Sequence, residues 1–359
     1  MLRQVVAALL LVPCLAPAAE TVRVYNWADY VAPDTLANFQ HDTGVHPTYD
    51  LYSTNETLDS RLRTQASGYD VVFPSIHFMT RQIQRADLQP LDRSQLPNWK
   101  YLNPILLRVL DNSDPGNRYG FPYLWGSTGI GYDRAALRSA LGDDAPVDSW
   151  DLIFKPQYLS KLKRCGVAIV DSEANLIPIA LNYLGLPPNS TNPEDYLKAQ
   201  ALWLTARPFV RYLDSQKYIE DLAHGRICVA IGYSGDVLQA EDRARAAHNG
   251  LDIGYSVPRE GSALWFDMVA MPANAPDPKA AYAFMNYLLE PQVIANITNH
   301  VRYANGNEGA DELVDPAIKA DPKIYPNSQL MSKLFTLEPL PREIYVLRSQ
   351  VWQHIRDGS

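Results

Sequence analysis

The stretch that decides the fold class is VRVYNWADYVAPDTLANFQHDTG, residues 22–44. It begins as a short strand and breaks at the turn WADY, residues 27–30. It then turns helical, with Leu36 and Phe39 on one helix face and a stop signal at Gly44. A strand that passes through a turn into a helix is the first part of a βα unit, so this stretch predicts an α/β fold.

The same rhythm continues along the chain. HPTYDLY (46–52) is typical of a strand, NETLDSRLRTQASG (55–68) of a helix, and YDVVFPS (69–75) of a short strand buried in a parallel sheet. It recurs in CGVAIV (165–170) and ICVAIGY (227–233). Ligands of such folds bind at the carboxyl ends of the strands.

The two α/β regions are not separated by a flexible linker, which favours two lobes that share crossing strands. We assign residues 20–125 and 248–305 to lobe 1 and residues 126–247 to lobe 2. Residues 306–359 form a C-terminal helical segment that we expect to pack mainly on lobe 2.

The N-terminus has the pattern of a secretory signal peptide, which we place at residues 1–19. An early basic residue precedes an almost wholly apolar run at 5–15 and a group of small residues. The run is shorter than the roughly 20 residues of a membrane span. Cys14 leaves lipidation open, although Pro13 directly before it fits a lipoprotein poorly. We therefore predict an exported, periplasmic protein.

Export affects how the cysteines and the charge are interpreted. Cys165 and Cys228 remain after cleavage, and in an oxidising compartment an isolated pair more often forms a disulfide than a metal site. Two buried free thiols are the alternative. The formal net charge of −8 lacks the basic footprint of a nucleic-acid-binding protein and favours the approach of cations, although solubility alone also explains a modest acidity.

Motifs of catalysis and cofactor binding are missing from the sequence. It contains no G-x-S-x-G elbow, no P-loop, no G-x-G-x-x-G loop and no H-E-x-x-H helix. We therefore predict that the chain is not an enzyme and has no cofactor and no metal site.

The recurring feature is instead a strand end that carries an aromatic residue and a carboxylate. It occurs in WADY (27–30), YSGD (233–236) and WFD (265–267), while Tyr303 and Ser75 follow other apolar segments. Aromatic faces attract cations and cover methylene chains, and carboxylates accept charge-assisted hydrogen bonds from ammonium groups. Each residue alone is as well explained by core packing or helix capping, so only convergence in space would indicate a ligand.

Many segments, in order, carry a resemblance to a known family. VYNWADYVAPDTLANF, FPYLWGSTGIGYD, ICVAIGYSGDV, FDMVAMPANA, HVRYAN and KLFTLEP resemble the periplasmic polyamine-binding proteins of ABC transporters, most of all the putrescine-binding branch. The resemblance implies an α/β, two-lobed periplasmic-binding-protein fold of type II, a monomer, a Cys165–Cys228 disulfide and an inner-membrane ABC permease as partner.

The resemblance also implies a ligand site. Its residues would be Trp27, Ala28, Asp29, Tyr30, Ser75, Asn175, Tyr233, Asp236, Trp265, Asp267 and Tyr303. Asp236 and Asp267 would hold one ammonium group, Asp29 would help to hold the other end, and the aromatic rings would enclose the methylenes. The chain departs from the putrescine branch at Ala28, His77, Asn175, Tyr233 and Trp265, where Ser, a small residue, Glu, Trp and Phe are expected.

These departures make a cationic amine a safer prediction than putrescine itself, so spermidine, a modified diamine or a monoamine stay open. We predict an extracytoplasmic receptor that captures such an amine between the lobes and delivers it to an ABC permease. The alternative is a receptor that signals to a membrane sensor. A ferric-iron or anion receptor and a secreted enzyme that uses Asp236 and Asp267 are less well supported.

Overall fold

The structure is a computed structural model that describes residues 20–64 and 66–358. The predicted signal peptide and Cys14 lie outside the described residues. None of the helices in the described part combines the length and apolar character needed to cross a membrane.

The described residues form eleven strands and sixteen α-helices. The strands are β1 (Thr21–Trp27), β2 (His46–Tyr52), β3 (Val71–Val72), β4 (Gly120–Asp133), β5 (Val167–Ile169), β6 (Tyr212–Leu213), β7 (Val229–Tyr233), β8 (Ile253–Ser256), β9 (Ser262–Ala270), β10 (Ala304–Asn305) and β11 (Leu334–Thr336). The helices are α1 (Thr35–Thr43), α2 (Asn55–Leu62), α3 (Ile76–Gln84), α4 (Pro104–Leu110), α5 (Arg134–Leu141), α6 (Asp151–Phe154), α7 (Pro156–Leu162), α8 (Glu173–Tyr183), α9 (Pro193–Ala206), α10 (Lys217–Ala223), α11 (Ser234–Ala246), α12 (Pro278–Leu288), α13 (Pro291–Val301), α14 (Pro316–Lys319), α15 (Ser328–Met331) and α16 (Arg342–Asp357).

The long strand β4 joins two sheet regions. Its first half pairs antiparallel with β9, from Gly120 opposite Ala270 to Ser127 opposite Leu264. Its second half pairs with β7 and β8. The strand order is β2-β1-β3-β9-β4-β7-β5-β6, so β1 to β3 lie at one end and β5 to β7 at the other. The strand that crosses between the lobes is therefore part of both sheets.

The two sheet regions have separate apolar cores. Strands β5 and β7 pack with α8, α9 and α16 around buried residues such as Trp203 and Trp352. Strand β1 and helices α12 and α13 pack around Phe39, Phe284 and neighbouring residues. A smaller cluster that includes Phe266 extends this second core. Two cores linked by crossing strands are the pattern expected of a two-lobed fold, whereas the exact residue boundaries of the lobes stay a prediction.

The local expectations hold where apolar patterning is strong. The strand–turn–helix of residues 22–44 is present as β1 and α1, and HPTYDLY forms β2. The run YDVVFPS is strand only at Val71–Val72. Helices α12 and α13 are separate and α13 begins at Pro291, because proline lacks the backbone N–H that a helix interior needs and fits the first turn of a helix.

The disulfide implied by the resemblance is present between Cys165 and Cys228, with 5.5 Å between the two Cα atoms. The two cysteines directly precede β5 and β7, which pair in parallel with Val167 opposite Val229. Neighbouring strand starts bring the two Cα atoms within bridging distance. The free-thiol alternative is therefore wrong.

Candidate ligand-binding site

A cavity that is partly open to solvent lies between the two cores; we call it the main cavity. It forms where β1 and β7 end and beside β9. Its lining comes from both lobes and consists of Trp27, Ala28, Tyr30, Ser53, Asn55, Ser75, Asn175, Ser215, Gln216, Ile219, Tyr233, Asp236, Trp265, Asp267 and Tyr303.

Asp267 is a buried carboxylate in the otherwise apolar strand β9. It accepts a hydrogen bond of 2.5 Å from the Ser75 hydroxyl at one oxygen and one of 2.8 Å from the Tyr30 hydroxyl at the other. Burial raises the pKa of the Asp267 carboxyl to about 7, and the nearby Asp236 contributes, although both hydroxyl donors act against the shift. Asp267 is therefore a buried carboxyl that has two hydroxyl donors but no cationic partner within the described residues.

Asp236 lies in the first turn of α11, directly after β7. Tyr218 donates a hydrogen bond of 2.6 Å to one of its oxygens, and Tyr303 donates one of 2.6 Å to the other. Loss of solvation raises the pKa of the Asp236 carboxyl to about 6, while these two phenol donors lower it. Gly235 makes the arrangement possible, because a Cβ at this position would lie 2.6 Å from the Tyr303 ring.

Aromatic rings form the walls of the main cavity. Trp265 is in edge-to-face contact with Tyr233 and Tyr303, at centroid distances of 5.5 and 5.2 Å. Tyr303 in turn meets Tyr30 at 5.5 Å. On the side of lobe 1, the Trp27 indole is fixed by a hydrogen bond of 2.9 Å to the carbonyl of Phe73. Such walls suit a thin alkyl chain and add cation–π attraction at its charged end.

The rest of the lining is polar but neutral. Asn175 accepts a hydrogen bond of 2.9 Å from Thr128 and donates one of 2.9 Å to Ser172. Asn55 donates to the Ser75 hydroxyl over 2.9 Å and accepts from the Ser75 backbone N–H over 3.1 Å. These side chains offer hydrogen bonds to a guest without adding charge.

All but one of the residues predicted from the sequence line the main cavity. Ten of the eleven predicted residues line the main cavity, and Asp29 does not. Asp29 has a positive φ of 52° in the turn after β1, and its carboxylate forms an ion pair of 3.0 Å with Arg243. Its predicted role at one end of the ligand stays a prediction. His77 is buried and also lies outside this lining.

Five lining residues were not predicted from the sequence: Ser53, Asn55, Ser215, Gln216 and Ile219. They lie in connections or first helical turns, where small polar residues are common and carry no distinctive pattern. No cluster of three or more potential metal-ligating side chains occurs in residues 20–64 and 66–358.

Known proteins are similar to this chain over nearly its whole length. The family described as bacterial extracellular solute-binding protein matches residues 34–326. The putrescine-binding periplasmic protein SpuD of Pseudomonas aeruginosa is 48% identical over 347 residues, which cover 96% of this chain and 95% of the relative. The putrescine-binding periplasmic protein PotF of Escherichia coli is 46% identical over 346 residues, 96% and 94% of the two chains.

A solved structure named as a putative spermidine/putrescine ABC transporter from Listeria monocytogenes superposes with a TM-score of 0.84. It is 27% identical and covers 94% of this chain and 99% of its own. The expected two-lobed fold is thereby confirmed. The relatives are named as binding and transport proteins, which confirms the prediction that the chain is not an enzyme.

Proposed function

The chain belongs to the bacterial extracellular solute-binding proteins, and on that premise we propose that it is a periplasmic receptor that captures a cationic alkyl amine between its lobes. The observation that carries the proposal is the pair of desolvated carboxylates, Asp236 and Asp267, at one end of an aromatic cavity. An ammonium group supplies the opposite charge and the hydrogen-bond donors that these carboxylates can still accept. SpuD and PotF are named as putrescine-binding proteins, which supports the same class of ligand, a cationic alkyl amine.

In this proposal the ammonium group lies between Asp236 and Asp267. The rings of Trp27, Tyr233 and Trp265 cover the methylenes, and burial of each CH₂ contributes about 0.8 kcal/mol. An anionic ligand is disfavoured, because both charged residues in the described lining are acids. Iron is disfavoured as well, since no metal-ligating cluster exists in the described part of the chain.

The partner in this proposal is an inner-membrane ABC permease, to which the loaded receptor, acting as a monomer, delivers its amine. Strand β4 is part of both sheet regions, so lobe movement about it would open and close the main cavity by a hinge motion. The solved structure from Listeria carries an ABC transporter in its name, whereas none of the relatives reported above supports a membrane sensor as the partner.

Calorimetric titration of the ligand-free protein with amines, amino-acid anions and Fe³⁺ tests the ligand class. We expect binding of alkyl amines only. Asp236→Asn removes one of the two acceptors and should weaken amine binding at least tenfold, which is about 1.4 kcal/mol. Glu194→Gln, at the exposed start of α9, removes the same charge outside the cavity and should leave binding unchanged. Binding of an anion or iron, or equal affinities of the two variants, would contradict the proposal.

A further inference from the structure

Both acids of the main cavity converge on one region. The Tyr30 hydroxyl contacts Asp267, the Tyr303 hydroxyl contacts Asp236, and the two rings lie 5.5 Å apart. The two carboxylates therefore face the same part of a guest molecule. They can therefore hold one ammonium group together.

The far part of the lining is neutral. Asn175 is held against Thr128, which lies four residues along β4 from Leu124, the partner of Asp267. Asn175, Ser215 and Gln216 carry no charge, and no carboxylate other than Asp236 and Asp267 lines the main cavity within the described residues.

Most carboxylates close to the cavity are engaged elsewhere. Three of them form ion pairs: Asp29 with Arg243, Asp171 with Arg356 and Glu173 with Arg348. Glu56 lines a smaller cavity that shares Trp27, Ser53, Asn55, Ser215 and Tyr233 with the main one, and burial raises the pKa of its carboxyl to about 7. A second ammonium group that stays within the main cavity would thus lose its hydration, and the lining offers it no carboxylate beyond Asp236 and Asp267, which is unfavourable.

One wall residue also lacks a hydrogen-bond partner. The indole N–H of Trp265 is buried and has no acceptor in the described part of the chain, although a buried Trp N–H usually finds one. An ammonium group has no lone pair and cannot accept this hydrogen bond. A hydroxyl or carbonyl oxygen on the ligand can.

We propose that the preferred ligand carries a single cationic amine and, at its other end, a neutral oxygen-bearing group, as in an amino alcohol or a mono-N-acylated diamine. This inference rests on the proposed function and narrows its ligand class. The protonation of the two acids agrees with this proposal. Near pH 7, a pKa of about 7 leaves the Asp267 carboxyl about half protonated, and a pKa of about 6 leaves Asp236 mostly ionised. The summed charge of the two carboxyls is then closer to −1 than to −2.

The test is a calorimetric series with the wild-type protein and four ligands built on the same four-carbon amine chain: 1,4-diaminobutane, 4-amino-1-butanol, N-acetyl-1,4-diaminobutane and n-butylamine. We expect the amino alcohol or the acetylated amine to bind at least as tightly as the diamine, and more tightly than butylamine. A diamine that binds more tightly than both oxygen-bearing ligands would overturn the inference, while the proposed function would stand. If no amine binds, the proposed function itself fails.

Two variants test which residues of the cavity set this ligand preference. Asn175→Glu places a carboxylate at the neutral end and should shift the preference at least tenfold toward the diamine, whereas Leu184→Glu, at an exposed position just after α8, should not. Trp265→Phe keeps the ring wall, removes the N–H and should weaken the oxygen-bearing ligands relative to butylamine. An unchanged ligand order in both Asn175→Glu and Trp265→Phe would contradict the inference. The wild-type series decides it even if a variant fails to fold.

Discussion

Replacing Asp267 by asparagine should abolish ligand binding and at the same time stabilise the ligand-free protein. The side chain is buried, and its carboxyl has a pKa raised from 3.8 to about 7 because it has lost solvation. In the unfolded chain the same carboxyl titrates near its ordinary value. Between about pH 4 and pH 7 the folded protein therefore retains a proton that the unfolded chain has released, so the free energy of unfolding falls as the pH rises through this interval.

The magnitude follows from the shift. A difference of about 3 pKa units, at about 1.4 kcal/mol per unit, destabilises the ligand-free protein by roughly 4 kcal/mol above pH 7. Asparagine carries no charge and avoids this cost. Its amide has a single acceptor oxygen, so either the Ser75 or the Tyr30 hydroxyl loses its acceptor, which offsets about 1 kcal/mol. We expect Asp267→Asn to be more stable than the wild type by about 3 kcal/mol at pH 8 and by little at pH 4.

The assay is denaturant unfolding of both proteins at several pH values, after unfolding and refolding to remove bound amine. Saturating amine should stabilise the wild type and leave Asp267→Asn unchanged. The control is Glu194→Gln, which removes an exposed charge. Asp277→Asn would not serve as a control, because the Asp277 side chain caps α12. The reasoning is refuted if Asp267→Asn is not stabilised at pH 8, or if its amine affinity stays within threefold of the wild type.

Three further predictions concern the same contacts and the disulfide. Amine affinity of the wild type should fall at least a hundredfold from pH 8 to pH 5, because protons compete for the Asp267 and Asp236 carboxylates with their pKa values of about 7 and about 6; calorimetry that shows no pH dependence would contradict this. Tyr303→Phe removes a donor to Asp236 and should weaken amine binding about tenfold without unfolding the protein, as circular dichroism would show. Cys228→Ser opens a disulfide between cysteines 63 residues apart and should lower the free energy of unfolding by about 4 kcal/mol in oxidising buffer only, with unchanged amine affinity.

Much of the site could be predicted because its residues interrupt strong local patterns. Asp267 is a carboxylate in a nine-residue strand that is otherwise apolar or weakly polar, and such a residue stands out in the sequence. Tyr233 and Asp236 follow an apolar strand whose end must face a cleft in an α/β fold. The fold was predictable for the same reason, since the strand and helix periods alternate clearly from residue 22 onward.

Other parts of the site depend on contacts that local sequence does not encode. Asp29 has the same local pattern as Asp236, yet Arg243, 214 residues away, forms an ion pair with its carboxylate. Ser53 and Ser215 line the cavity only because two connections from different lobes meet there. The protonation behaviour of Asp267 depends on its burial between Ser75, Tyr30 and the second acid, which is a property of the assembled fold.

The central claim is that one ammonium group lies between Asp236 and Asp267. A crystal structure of the protein with bound 4-amino-1-butanol tests this most directly. We predict an amine nitrogen about 2.7–2.9 Å from an oxygen of each carboxylate, with the carbon chain against Trp265. A ligand bound outside the main cavity, or with its nitrogen distant from both carboxylates, would contradict the claim.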